Sequence, residues 1–180
     1  VLSPAQTIQV WVQPDPFAVR IKNIAGPGTG RQLLYNVAIR KKELRVRDSG
    51  FFGIFGGIWI NIDGSLAKGG SNHSVTETGF AALVDLITLH SNEALKEGDL
   101  ARTFERIDEN GAVCERYDSP KTTKVLYATV SRFCVDPVLM LPVTTEIIDA
   151  TGLLESFAFT DVKPNVALAK NFFTLEGADL

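Results

Sequence analysis

Apolar and polar residues alternate through most of the first fifty positions. Ile8, Val10 and Val12 alternate with Gln9, Trp11 and Gln13, and Phe17, Val19 and Ile21 with Ala18, Arg20 and Lys22. Leu33, Tyr35 and Val37 keep the same period, as do Leu44 and Val46 against Arg45 and Arg47. A period of two puts one set of side chains on a core and the other in water, so four strands are predicted. The breaks between them, Pro14-Asp15-Pro16 and Gly26-Pro27-Gly28-Thr29-Gly30, are turn chemistry. Short connections of this kind join neighbours in an antiparallel meander.

The pattern then changes. Phe51 to Ile60 is strongly apolar but interrupted by glycine, too short to span a bilayer as a helix and too rich in glycine to favour one. Residues 76–97 carry the one clear helical pattern, with Phe80, Leu83, Val84, Ile87 and Leu95 near helical spacing. Thr76 or Thr78 is the expected N-cap and Gly98 the expected stop. Strands resume beyond it. Residues 101–108 and 112–117 flank Glu109-Asn110-Gly111, and residues 142–149 and 153–162 flank Ala150-Thr151-Gly152, so each pair reads as a hairpin. Residues 123–135 alternate as one further strand, and residues 165–173 read as a closing loop or short helix.

About nine strands and one main helix predict a mostly-β α+β chain. The apolar face of one long antiparallel sheet needs a cover, and a single helix covers only part of it. The expectation is a strongly curved antiparallel sheet, an incomplete barrel, closed by one main helix and loops. Residues 1–180 are read as one such domain. Its concave interior is then an apolar cavity. Trp11, Phe17, Phe104, Tyr127, Phe133, Phe157 and Phe159 are candidates for lining it, although parity alone leaves open whether each lines a cavity or fills an ordinary core.

The charge pattern adds a surface. The net charge is −3, which argues against generic nucleic-acid binding, yet residues 1–50 hold eight basic and three acidic residues. The densest part is Arg40, Lys41, Lys42, Arg45 and Arg47. Two readings of the neighbouring apolar stretch stand side by side. Phe51, Phe52, Ile54, Phe55, Ile58 and Trp59 form a lid or membrane-contact loop with Arg45 and Arg47 touching anionic lipid, or they plug one end of the sheet.

Catalytic chemistry is not marked. His73 has no nucleophile beside it and reads as a surface or capping residue. Glu115 and Asp118 differ in strand parity, so solvent exposure is the better reading than a carboxylate pair. Gly26, Gly28 and Gly30 precede a strand where a dinucleotide loop needs a helix. Cys114 and Cys134 are expected to be buried free thiols, because a hairpin turning near Pro120 sets Cys134 well down the ladder from Cys114. No metal or cofactor is expected. The first residue is Val1 and the one methionine is Met140, so the expectation is a mature or trimmed chain.

Several motifs in order carry a resemblance. They are Pro16-Phe17-Ala18-Val19, Gly30-Arg31-Gln32-Leu33-Leu34-Tyr35, the glycine-rich loop before Gly64-Ser65-Leu66-Ala67, and Asn72-His73-Ser74-Val75-Thr76-Glu77-Thr78-Gly79. Asp136 with Leu141-Pro142-Val143, and Leu154-Glu155-Ser156-Phe157-Ala158-Phe159, follow. Over residues 8–175 the chain resembles an exported bacterial family known as domain of unknown function 1571. Ser74, where proline is typical, and Ala158-Phe159, where tyrosine-threonine is typical, depart from its pattern. That family is similar in architecture to the LolA and LolB lipoprotein carriers, whose half-barrel encloses an apolar cavity. The resemblance implies a periplasmic or otherwise exported protein. The expected function is non-enzymatic binding of lipid, acyl chains or another apolar ligand, with a lipoprotein or envelope protein as a further partner. The alternative is an envelope protein-interaction or sensor module on the same fold.

Overall fold

The structure is a computed structural model that describes residues 3–49, 56–68, 73–96, 101–107, 110–119 and 128–180, excluding the side chains of residues 68, 90, 94, 104 and 106. It is a mostly-β α+β chain whose contacts divide it into two units, residues 3–79 with 166–180 and residues 80–165.

The first unit is built on a five-stranded antiparallel meander. Its strands are β1 (Thr7–Pro14), β2 (Phe17–Ala25), β3 (Gln32–Asn36), β4 (Glu43–Arg47) and β5 (Ile58–Asn61), adjacent in that order. The first four are the strands the alternation predicts. Register fixes what each face carries. Val12 lies opposite Val19, Val19 opposite Tyr35, Leu33 opposite Val46 and Leu44 opposite Ile60, so one face is aliphatic across the sheet. Val19, Tyr35 and Leu44 are buried at its centre, packed by Phe17, Ile62, Ala67 of α1 (Ser65–Lys68) and Val75. Toward the β1 edge the cover ends, and Ile8, Val10 and Val12 remain 46, 40 and 37% exposed. The apolar set of β1 therefore lies on the expected face but is only partly enclosed.

The opposite face carries Trp11, Ala18, Arg20 and Leu34, and it too is covered. Phe172, Phe173, Leu175, Ala178 and Leu180 pack on it, with the short helix α3 (Leu175–Ala178) capped by Thr174. Asn36 Nδ2 donates to Phe173 O at 3.0 Å and Arg20 Nη1 to Gly177 O at 3.0 Å, which ties this C-terminal strap to β2 and β3. The expected closing loop is thus a second cover for the first sheet.

The second unit contains the helix α2 (Phe80–Lys96) and a second antiparallel meander. Its strands are β6 (Ala101–Ile107), β7 (Val113–Asp118), β8 (Val130–Asp136), β9 (Leu141–Asp149) and β10 (Gly152–Ala158). Both predicted hairpins are present, with Gly111 at φ +84° and Gly152 at φ +120°. One sheet of about nine strands is thereby corrected to ten strands in two sheets of five among the described residues, with no closed barrel. Among the described residues no ladder pairing joins β5 to β6; the helical segments intervene between them.

The cysteines require the other correction. Cys114 lies directly opposite Cys134 in the β7–β8 register, and the two form a disulfide across Cα atoms 3.9 Å apart. They are not free thiols. The expected register assumed a tight turn near Pro120, whereas β8 begins only at Val130, so the connection is long and the cysteines meet. With Ala112 and Val143 they form the small core of this sheet.

Candidate functional site

The second unit presents a cleft between α2 and one face of its sheet. The helix follows a 3-10 turn, Val75–Glu77, whose N-cap is Ser74, so Thr76 lies inside that turn and Thr78 closes it. Ser74 Oγ accepts from Thr76 N at 3.4 Å, and Glu77 Oε2 accepts from Ser74 N at 3.1 Å, so two otherwise orphaned donors are satisfied. His73 Nδ1 lies 3.2 Å from the same carboxylate, which places the histidine in this cap. Gly79, at φ +108°, then separates the turn from α2. The expected stop at Gly98 lies outside the described residues.

The described residues of α2 include none that is buried. Leu83, Leu86 and Ile87 are half-buried, whereas Val84, Leu89 and Leu95 are exposed, Leu95 by 60%. The helix therefore carries apolar residues that remain exposed. Ile87, Thr88, Ser91, Asn92 and Leu95 form one wall of an open cleft of about 320 Å³, and Arg102 of β6 and Tyr117 of β7 form the other.

Register explains the second wall. Arg102 lies opposite Tyr117, and Glu115 is two residues from Tyr117, so all three project from one face. Arg102 grips the Glu115 carboxylate with two donors, one of them Nε at 3.0 Å, and Tyr117 Oη donates to it at 2.9 Å. The Arg102 hydrogen bond holds the Glu115 carboxyl below its ordinary range, although desolvation opposes it. Desolvation first, and then the bond to Glu115, raises the Tyr117 phenol. At neutral pH Arg102 and Glu115 are charged and Tyr117 is protonated, so this group is committed to holding itself together. What remains for a ligand is the Ile87 and Leu95 side chains, the Tyr117 ring and the polar groups of Thr88, Ser91 and Asn92.

Glu115 and Asp118 do not form a carboxylate pair. Asp118 accepts from Arg116 Nε at 2.8 Å, whereas Glu115 is held by Arg102, and the two acids belong to opposite faces of β7. Arg132, across from Arg116, reaches Glu105 at 3.1 Å and Glu146 at 3.4 Å, so that outer face is laced with ions.

The proposed cavity aromatics are dispersed between the two units. Trp11 meets Phe172 edge-on at 5.4 Å beneath the C-terminal strap. Phe17 packs with Tyr35 at 6.0 Å on the opposite face of that sheet. Phe133, opposite Glu115 and so on the same face as Tyr117, meets the Tyr117 ring edge-on at 5.7 Å. Phe157 stacks on Phe159, which in turn meets Phe80 of α2 at 5.2 Å. Phe104 lies on β6, its side chain outside the described residues, as is Tyr127 entirely. Of the lid residues, Phe51, Phe52, Ile54 and Phe55 are also outside them. Ile58 is exposed, and Trp59 is half-buried on β5. Arg45 lies over the Trp59 ring at 5.6 Å, and Arg47 is bound to Asp179 at 3.0 Å.

Arg102, Glu115 and Tyr117 were not singled out together by sequence. The signal for them is the Glu115-x-Tyr117 parity read with a basic residue across the Asn110-Gly111 hairpin. Among the described residues no helix is long and apolar enough to cross a membrane. A comparison with curated proteins finds no match. The pattern of the family described as Protein of unknown function (DUF1571) matches residues 1–179, almost the whole chain, and the chain belongs to that family.

Proposed function

We propose that the protein is a non-enzymatic binder of acyl chains or a similar apolar ligand in the bacterial envelope, akin in working principle to the lipoprotein carriers. The cleft beneath α2 carries this reading. It is open, Ile87, Leu95 and the Tyr117 ring give it an apolar strip beside the polar Thr88, Ser91 and Asn92, and the helix above it bears further exposed apolar residues. Arg102, Glu115 and Tyr117 satisfy one another, which suits a wall that holds a ligand without reacting with it. The disulfide fits an oxidising compartment, and hence an exported chain. The LolA-like half-barrel remains part of this proposal.

The test is uptake of a fluorescent fatty acid by the purified protein, together with mass spectrometry of its organic extract. Saturable uptake that Ile87→Asp and Leu95→Asp each reduce at least tenfold supports the reading. Absence of both uptake and extractable lipid overturns it. A protein-interaction module is favoured by a different observation, the exposed Ile8, Val10 and Val12 on the edge strand β1. Capture of an envelope protein that Val10→Lys abolishes, with lipid uptake unaffected in wild type and variant, separates that reading from the first.

A further inference from the structure

The basic run that opens the charge pattern has a defined place in the fold, at the turn between β3 and β4. This turn is fastened from below. Ile39 N and Arg40 N both donate to Asn36 O at 3.0 Å, and Ala38 N donates to Asn36 Oδ1 at 2.8 Å. The buried Tyr35 donates its hydroxyl to Lys41 O at 3.0 Å, and Ile62 N donates to Lys42 O at 3.0 Å. The tip is therefore held by the core of its own sheet. It presents Arg40, Lys41 and Lys42 to solvent beside Ile39, which is 40% exposed.

The charges differ in how far they are committed. Arg47 is bound to Asp179, and Arg45 lies against Trp59 with Gly56 and Gly57 beside it. Arg40 is shared between Glu43, at 2.6 Å, and the Trp59 ring, at 4.3 Å. Among the described residues Lys41 and Lys42 make no ion pair. Asp63 follows Ile62, so one carboxylate lies on the neighbouring loop. Arg47 is thus ion-paired and Arg45 is half-buried against Trp59, so the cations most open to a partner are those of the turn.

We infer that this turn is a docking point for an anionic lipid surface, with Lys41 and Lys42 at the headgroups and Ile39 entering between them. The pairing of cations with one exposed aliphatic side chain is what favours a bilayer. A nucleic-acid partner needs the charges but not Ile39. The inference is independent of the cleft, which belongs to the other unit.

The experiment is co-sedimentation with large vesicles, either purely phosphatidylcholine or with one-third phosphatidylglycerol, at low and at physiological salt. Binding is expected to the anionic vesicles and to fall with salt. Lys41→Gln with Lys42→Gln is expected to weaken it about 30-fold, from roughly a fivefold effect for each cation near the surface. Ile39→Ser is expected to weaken it severalfold at every salt concentration. These side chains are exposed, so the melting curve and the fatty-acid uptake of the lysine variant should match wild type. Equal binding to both vesicle types overturns the inference. So does unchanged binding of the lysine variant, or equal affinity for duplex DNA. Failure of fatty-acid uptake with the vesicle results intact overturns the cleft reading alone.

Discussion

The first sheet buries Val19, Leu34, Tyr35 and Leu44, whereas the second buries Ala112, Ala128, Ser119, Thr145 and a cystine. Both have five strands in simple antiparallel order. The first is packed on both faces, by α1 and its neighbours on one and by the C-terminal strap on the other. In the second, Phe133, Ile147 and Ile148 are only half-buried, and Ile107, Leu153 and Phe157 are exposed. A sheet whose described residues show so little large apolar burial needs other support. Here that support is the Cys114–Cys134 bond, the Arg102–Glu115–Tyr117 group and the ion pairs of Arg116 and Arg132. The difference teaches where ligand binding is tolerable: the sheet whose order depends less on a filled interior is the one beside the open cleft.

The largest expected effect tests the packed sheet. Leu44 is fully buried between strands β3 and β5, so Leu44→Ala removes transfer energy and leaves a cavity, at a cost of about 4 kcal/mol. Segment-resolved hydrogen exchange should show faster opening of residues 7–61, with residues 101–158 unchanged. An effect spread equally over both sheets breaks the distinction. Next, Cys114→Ala with Cys134→Ala should cost about 3 kcal/mol, because a closure over 20 residues is lost from the unfolded chain. Exchange should now rise in residues 101–158 alone, and a reducing agent should do the same to wild type. A reduced protein with unaltered exchange shows that the second sheet holds itself by packing after all.

How much of this was legible in sequence follows the same division. The four N-terminal strands are visible because alternation survives wherever one face is strongly apolar. The hairpins at Gly111 and Gly152 are visible because positive φ demands glycine. The β7–β8 register was not, since a connection running from Ser119 to Thr129 sets no register, and the disulfide went unseen with it. Residues 165–173 read as a closing loop, but not what they close on, because Phe172, Phe173 and Leu175 have no period to read, only distant partners such as Leu34. The division into two sheets depends on which edges pair, and parity within a strand does not encode that. For the site, alternation placed Glu115 and Asp118 on opposite faces, which the ion pairs bear out, but its partner Arg102 required the hairpin register.

Acid should separate the sheets more gently. Glu115 and Asp118 of β7 are both held below the ordinary carboxylate range, first by hydrogen bonds from Arg102 and Arg116. In the first sheet's unit Asp48 is lowered likewise by Arg31. A carboxyl with a lowered folded pKa stabilises fully above its unfolded value of about 4, and that contribution is lost as pH falls through the folded one. From about pH 4 downward, exchange in residues 101–158 should therefore rise more steeply than in residues 7–47. Glu115→Gln should lower stability at neutral pH and flatten the acid slope. A slope unchanged by that substitution removes the Arg102–Glu115 group from the account.

The smallest effect sharpens the comparison through two glycines with nearly the same backbone. Gly26 in the β2–β3 connection has φ +87° and Gly111 in the β6–β7 hairpin φ +84°. An added Cβ at Gly26 would lie 2.4 Å from Ala5 O, a backbone atom, whereas at Gly111 it would meet nothing within 4 Å among the described residues. Gly111→Ala therefore carries only the cost of a left-handed residue, about 1 kcal/mol. Gly26→Ala carries that cost and must also displace the chain entering β1, so its destabilisation should be the larger. Denaturant melts of the two variants give the difference directly, because the conformational part is common to both. Equal losses would mean that the segment before β1 moves aside freely, and the close packing attributed to the first sheet would stop short of that edge.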